Sequence, residues 1–165
     1  MEEVIFLIIL VFGFYYLRDR NKRKSYEKMK PYGDIGEYKV AEVLEQLGNE
    51  FEVANNIVVG DSQIDHLVIN EDKHIIFVIE TKHWGGTITG KHNCKDWTQE
   101  YKGKVEVLNN PMLQNQRHCR AVRNRWVGYE VVNVIVFTCS KDFPRYKGVI
   151  GIDELLDYIS VRVSV

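Results

Sequence analysis

Three residues carry the first chemical signal in this chain. Asp65 interrupts the apolar stretch Gln63-Ile64-Asp65-His66-Leu67-Val68-Ile69, and Glu80 and Lys82 close the stretch His74 to Lys82 in the order Ile79-Glu80-Thr81-Lys82. Both stretches are rich in Val and Ile and predict strands. Side chains alternate along a strand, so Glu80 and Lys82 share one face while Phe77, Ile79 and Thr81 share the other. A turn at Asn70 to Lys73 folds the strands back on each other and brings the Asp65 region opposite the Glu80 region. Two carboxylates that converge cannot both stay ionised without a counter-charge. A divalent cation supplies one, and two carboxylates with water and a substrate phosphate suit Mg²⁺. Lys82, on the same face, would orient a water or stabilise the charge of a phosphorane. A plainer account makes Asp65 a strand-end turn former and Glu80–Lys82 an exposed ion pair; a bare D…ExK pattern fits both equally.

These residues need elements to position them. Val40, Ala41, Leu44 and Leu47 recur at helical spacing, which predicts an amphipathic helix over Gly36 to Leu47, stopped by Gly48 and Asn49. Glu37 falls on or beside its buried face; a buried acid wants a partner, and a third carboxylate would complete an acidic cluster around a metal. Gly36 permits close approach of that helix to a sheet. Strands are expected at Phe51 to Val59, Gln63 to Ile69 and His74 to Lys82, forming an antiparallel meander. A loop containing Gly85, Gly86 and Gly90 follows, and Trp97 to Leu108 reads as ambiguous, with a short hairpin turning at Lys102 to Lys104 as one solution. Asn110-Pro111 opens a second helix running to about Val127, closed by Gly128. On it Gln114 shares helical spacing with Arg117, His118 and Ala121, so an amide stands beside a cation. Val131 to Thr138 predicts a buried strand, and Ile152 to Ser160 a last helix begun by Asp153. The order is helix, three strands, helix, strand, helix.

Five separated motifs occur in sequence: Gly36-Glu37, QIDHLVI at Gln63 to Ile69, IETKHWGGTITG at Ile79 to Gly90, Trp97, and NPMLQNQRH at Asn110 to His118. In these the chain resembles the nuclease-related domain (NERD), a branch of the PD-(D/E)XK nuclease-like superfamily. The resemblance is strong over about residues 31 to 127 and weak beyond. It implies an α/β fold with a mixed sheet, a restriction-endonuclease-like core of helix, three-stranded antiparallel meander, helix and parallel strand. It implies further that Asp65 and Glu80 are ligands of Mg²⁺ or Mn²⁺, the Thr81 carbonyl a further ligand, Lys82 the catalytic lysine, and Glu37 and Gln114 the completion of the site. The superfamily's proline before the first acid is absent, since Ile64 precedes Asp65.

Composition bounds the rest. A chain of 165 residues that is 45% hydrophobic and 27% charged suits one ordinary domain and excludes both a disordered chain and a fully membrane-embedded one. Its net charge of -1 hides a strong segregation: Glu2 and Glu3 in residues 1–17, seven basic against two acidic residues in 18–30, and an excess of four acids in 31–165. Val4 to Leu17 is uncharged throughout. As a helix it would span about 21 Å, short of a hydrocarbon core of roughly 30 Å. Its flanks, acidic before and basic after, are the reverse of a signal peptide. The expectation is an N-terminal transmembrane anchor over 1–17 with its N-terminus outside the cell membrane, a basic juxtamembrane linker over 18–30 that meets anionic lipid, and a cytoplasmic domain over 31–165. Packing as a core helix is the alternative, and a segment apolar on every face counts against it. Cys94, Cys119 and Cys139 are odd in number and far apart, which agrees with reduced thiols.

A domain with excess acid is no generic polyanion binder, so attraction to nucleic acid must be local. Arg117 and Arg120, with His118 among them, share a side with Gln114, while Arg123 and Arg125 point elsewhere; a solvated helix face is the alternative for each arginine. Trp84 and Trp97 could stack on bases, though tryptophan is more often packing material. The resulting expectation is a single-pass, membrane-anchored, Mg²⁺- or Mn²⁺-dependent nuclease, acting on DNA in preference to RNA. Its rival is a non-catalytic binding or scaffolding module, tethered to the membrane, that retains the nuclease fold.

Overall fold

Helix α1 (Gly33–Leu44) opens the described part of the chain, residues 33 to 164 of a computed structural model. The expected anchor over 1–17 and basic linker over 18–30 lie outside the described residues. Among the described residues no helix is long and apolar enough to cross a membrane. The meander follows as β1 (Glu52–Val59), β2 (Ser62–Asn70) and β3 (Ile75–Lys82), antiparallel throughout. A second, three-stranded sheet comes next: β4 (Thr87–Thr89), β5 (Asp96–Tyr101) and β6 (Lys104–Asn109). Then α2 (Pro111–Arg125) leads into β7 (Glu130–Phe137), and β8 (Val149–Gly151) is joined through a 3₁₀ turn (Ile152–Glu154) to α3 (Leu155–Val163). The main sheet has the order β1-β2-β3-β7-β8, with β7 parallel to both β3 and β8.

Both faces of this sheet are covered, which explains why β3 is buried along nearly its whole length. Ile75, Phe77 and Ile79 pack with Val132, Val134 and Val136 of β7 against Val40 and Leu44 of α1 and Leu155 and Ile159 of α3. Ile76 and Val78 face the other way, with Leu67 and Ile69 of β2, against Cys119 and Val122 of α2. Each fully buried side chain of this size contributes about 1.5–3 kcal/mol, so both layers are needed to hold the central strand. Since Glu80 and Lys82 continue the alternation of Ile76 and Val78, the sheet's two-residue period delivers them to the α2 face.

Several expectations shift in detail. Helix α1 ends at Leu44, and Leu44 to Leu47 tighten into i→i+3 turns in which Gln46 donates to Val43 and Leu47 to Leu44. Trp97 to Leu108 is a hairpin whose turn residues Lys102 and Gly103 have φ of 52° and 73°, as a two-residue turn of mirror-image type requires. The glycine loop contains the short strand β4, and β8 was not expected; each is three residues long, too short for a periodic signal. Gly36 meets its expectation: a Cβ there would lie 2.9 Å from His83 Cβ and 3.2 Å from Thr81 Cγ2, so only a glycine lets α1 approach the end of β3 so closely.

Candidate active site

The meander's register brings the chemistry together. Strands β2 and β3 pair from Asn70↔Ile75 to His66↔Ile79, which sets Asp65 beside Glu80 one step past the last pair. There a side chain takes over from the main chain: the Thr81 amide donates to Asp65 Oδ2 at 2.8 Å. On the far side of β2, pairing with β1 skips from Asn55↔His66 to Ile57↔Ile64, and Asn56 takes a left-handed backbone with φ 51°. The β1–β2 ladder is therefore interrupted at the level of Asp65 without a change of register.

Glu80 is the centre of the polar contacts. Its Oε1 accepts from Lys82 Nζ at 2.6 Å and from Gln114 Nε2 at 2.7 Å, and Lys82 Nζ also reaches Gln114 Oε1 at 3.3 Å. Its Oε2 faces His118 Nε2 at 3.5 Å. Helix α2 supplies both Gln114 and His118 because Met112, Asn115, Cys119 and Val122 form its buried stripe and Gln114 and His118 flank that stripe one turn apart. Asn110 caps the helix by accepting from the Met112 amide, with Pro111 in its first turn, and so fixes where that first turn starts. Asn115 ties α2 to the sheet, donating to the Val78 and Val134 carbonyls and to Asn133 Oδ1. The ion pair of Glu80 and Lys82, which the plainer account makes an exposed one, is largely withdrawn from solvent, with side-chain exposures of 4% and 15%.

The two acids divide one charge. Burial together with the neighbouring Glu80 pushes the Asp65 carboxyl up to about 6, although the Thr81 amide, Lys82 and His118 act against the shift. Burial pushes Glu80 up as well, but His118 and Lys82 outweigh it and hold Glu80 below the usual carboxylate range. Of the two, Glu80 keeps its charge. Next to Asp65 on the opposite face, His66 is fully buried and pushed down to about 3 by that burial; its Nδ1 donates to Asn55 Oδ1 at 2.8 Å, while Nε2 has no partner. It is a neutral core histidine.

The remaining expected site residues divide. Thr81 reaches the site through its main chain, while its hydroxyl is buried and unpartnered on the α1 side. Glu37 rides half-buried on α1, which packs on the sheet face opposite α2; among the described residues no three His, Cys, Asp or Glu side chains form a group that could hold a metal ion. Arg117 and Arg120 are exposed on α2. Arg123 folds back to donate to the Val131 carbonyl and Arg125 covers Trp126, so neither turns toward the site, as expected. His118 departs from its expected place among the surface cations, because its ring turns inward onto Glu80. Trp97 is core, while Trp84 packs on Phe137 with Lys82 Nζ 5.5 Å from its ring centre. What the sequence withheld was the inward turn of His118; its spacing of four from Gln114 and its place just before buried Cys119 were the available signals.

The donor set suits a hard divalent cation in kind. Asp65 Oδ2 and Glu80 Oε1 are committed to the protein's own donors, which leaves Asp65 Oδ1 and Glu80 Oε2 as the carboxylate oxygens for such an ion. Two carboxylates would leave most of a six-oxygen shell to water and other oxygens, which is how Mg²⁺ is ordinarily held.

Known proteins give this geometry a family. The family model for the nuclease-related domain matches residues 32–138. An uncharacterized protein of Bacillus anthracis is 37% identical over 128 residues, covering 74% of this chain and 58% of that protein. The chain thus spans less than two thirds of that relative's length. The crystal structure of a repair endonuclease from Pyrococcus abyssi aligns with 79% of this chain and 45% of its own at 13% identity and a TM-score of 0.39, a likeness too distant to carry chemistry across. The family match covers well over half of the sequence and includes every residue that surrounds Glu80. The chain belongs to the nuclease-related domain family.

Proposed function

We propose that this chain is a divalent-metal-dependent nuclease that hydrolyses phosphodiester bonds, of DNA in preference to RNA, from a domain tethered to the cell membrane by residues 1–17. The observation that carries the reading is the convergence of Asp65, Glu80, Lys82 and Gln114 at the end of β3. Asp65 and Glu80, with the Thr81 carbonyl, would hold Mg²⁺ or Mn²⁺; when bound, the ion supplies charge neutralisation at the phosphate and a more acidic water. Asp65, whose ionisation is suppressed by burial and by Glu80, gives up its proton most readily when a cation is present. Lys82 brings an ammonium to the same face, where it orients the attacking water and offsets charge on the phosphorane. Gln114 spans Glu80 and Lys82 with its two amide ends and fixes their relative position. Exposed Arg117 and Arg120 provide local attraction for a phosphate backbone that the acidic domain otherwise repels.

The test is cleavage of single-stranded, duplex and branched substrates by the intact chain in Mg²⁺ or Mn²⁺. Cutting that stops with EDTA and is lost in Asp65→Ala and Lys82→Ala supports the reading; wild-type activity in either variant overturns it. Cell fractionation tests the tether, since recovery of the intact chain in the soluble fraction without detergent removes the anchor.

One observation favours the non-catalytic module as a second reading. Glu80 is already compensated by Lys82, Gln114 and His118, so the protein's own groups stabilise this acid without an ion. Calorimetry separates the two readings: no Mg²⁺ or Mn²⁺ binding up to about 10 mM, with affinity for nucleic acid or a protein retained, selects the module.

A further inference from the structure

His118 stands apart from the other polar residues of α2. Arg117 and Arg120 are exposed to solvent, whereas the His118 side chain is 15% exposed and meets Glu80 Oε2 at 3.5 Å. The other carboxylate oxygen is held by Lys82 and Gln114, so the two oxygens of Glu80 are approached by different residues from different directions. Within the imidazole, Nδ1 is buried without a partner. The ring hydrogen therefore belongs on Nε2, where an acceptor stands, because a buried N–H without an acceptor is the costlier arrangement.

We propose that His118 is a positioning residue for Glu80: through Nε2–H it fixes the plane of the carboxylate and keeps Oε2, the oxygen left by Lys82 and Gln114, presented to a divalent cation shared with Asp65. This deepens the metal-dependent reading above and rests on it. Three fixed directions of approach leave a carboxylate little freedom to rotate, and removing the one on Oε2 releases the ligating oxygen itself. An oxygen carries lone pairs for more than one partner, so a contact at 3.5 Å restrains Oε2 without occupying it. Residues that orient metal ligands in this way typically change metal affinity by about 10–100-fold when removed. A direct phosphate contact, the role that its neighbours Arg117 and Arg120 suit, would act on nucleic-acid affinity instead.

The experiment compares the intact wild-type chain with His118→Ala, His118→Gln and His118→Asn. Glutamine carries its amide nitrogen the same number of bonds from Cα as Nε2, and asparagine the same number as Nδ1. Mn²⁺ titration followed by electron paramagnetic resonance should show at least about 10-fold weaker binding in the Ala and Asn variants and recovery to within about threefold in the Gln variant. Affinity for a fluorescent DNA duplex in EDTA should be unchanged in all three. Unchanged Mn²⁺ affinity in all variants overturns the proposal, with weakened DNA binding marking a phosphate contact and unchanged DNA binding marking a packing residue. The contrast between Gln and Asn carries the result if the Ala variant fails to fold. Should the wild type bind no Mn²⁺, the metal-dependent reading itself fails, and the Glu80 carboxyl ¹³C resonance recorded without metal decides the positioning role: a shift in the Asn variant that the Gln variant reverses supports it, and an unmoved resonance overturns it.

Discussion

Asp65→Asn should make the protein more stable at neutral pH, and the gain should vanish in acid. The Asp65 carboxyl has its protonation midpoint raised from 3.8 to about 6, by burial first and by Glu80 second. Below about pH 3 the acid is protonated in both the folded and the unfolded chain and contributes almost nothing to the balance. Between about pH 4 and 6 the folded state binds the extra proton, so stability falls as pH rises, and above 6 the full penalty is present. A displacement of that size corresponds to about 3 kcal/mol, an upper bound because the side chain retains some contact with water. Asparagine keeps the shape and can still accept from the Thr81 amide while removing the charge. Urea unfolding of the intact chain in EDTA, followed through the emission of buried Trp97, should show Asp65→Asn ahead by up to about 3 kcal/mol at pH 7.5 and nearly level with wild type at about pH 3. A bound ion at 100 times its dissociation constant adds about 2.7 kcal/mol, so Mg²⁺ or Mn²⁺ should nearly close the gap by stabilising the wild type alone. A variant no more stable than wild type at pH 7.5, or a gap that persists undiminished at about pH 3, refutes the account of Asp65 as a strained acid.

Other consequences are more local. Lys82→Met removes the counter-charge of a carboxylate that is 4% exposed and should cost about 3 kcal/mol in chemical denaturation, together with cleavage activity. Asn115→Ala strips donors from the Val78 and Val134 carbonyls and loosens α2 from the sheet, a loss of about 2 kcal/mol measured the same way. Arg117→Glu with Arg120→Glu should weaken duplex binding at all sequences and lower its salt dependence by about two phosphate contacts, with Mn²⁺ affinity intact. Fluorescence anisotropy over a salt series checks this, and an unchanged slope removes those arginines from the interface.

What the sequence made legible followed its periodicities. The two-residue period of β3 put Glu80 and Lys82 on one face, and the turn after Asn70 brought the Asp65 region opposite them, while the register that sets Asp65 beside Glu80 comes from the folded pairing. Helix α2 was readable from Asn110-Pro111 at its start, while the place of Gln114 in the site followed only from the family resemblance. Strands β4 and β8 were not, because three residues carry no period and each exists through its neighbours, β5 and β7. The placement of α1 was harder for a different reason. Amphipathic spacing tells which side of α1 is buried, but not which face of the sheet receives it, and α1 packs on the face opposite α2.

The same gap explains His118. Flanking positions of a buried helical stripe turn inward only when something in the sheet beneath attracts them, and for His118 that is Glu80, already bound to Lys82 and Gln114. The acid that dominates the site is thus charged because four elements of the surroundings agree: Lys82 two residues along, Gln114 and His118 from the helix above, and a neighbour, Asp65, that yields its own charge. That asymmetry gives the two carboxylates different work. Glu80 is the fixed, ionised one, and Asp65 is the one whose ionisation burial opposes; under the proposed metal-dependent reading, the pH at which metal binds should be set by Asp65 and the geometry of binding by Glu80.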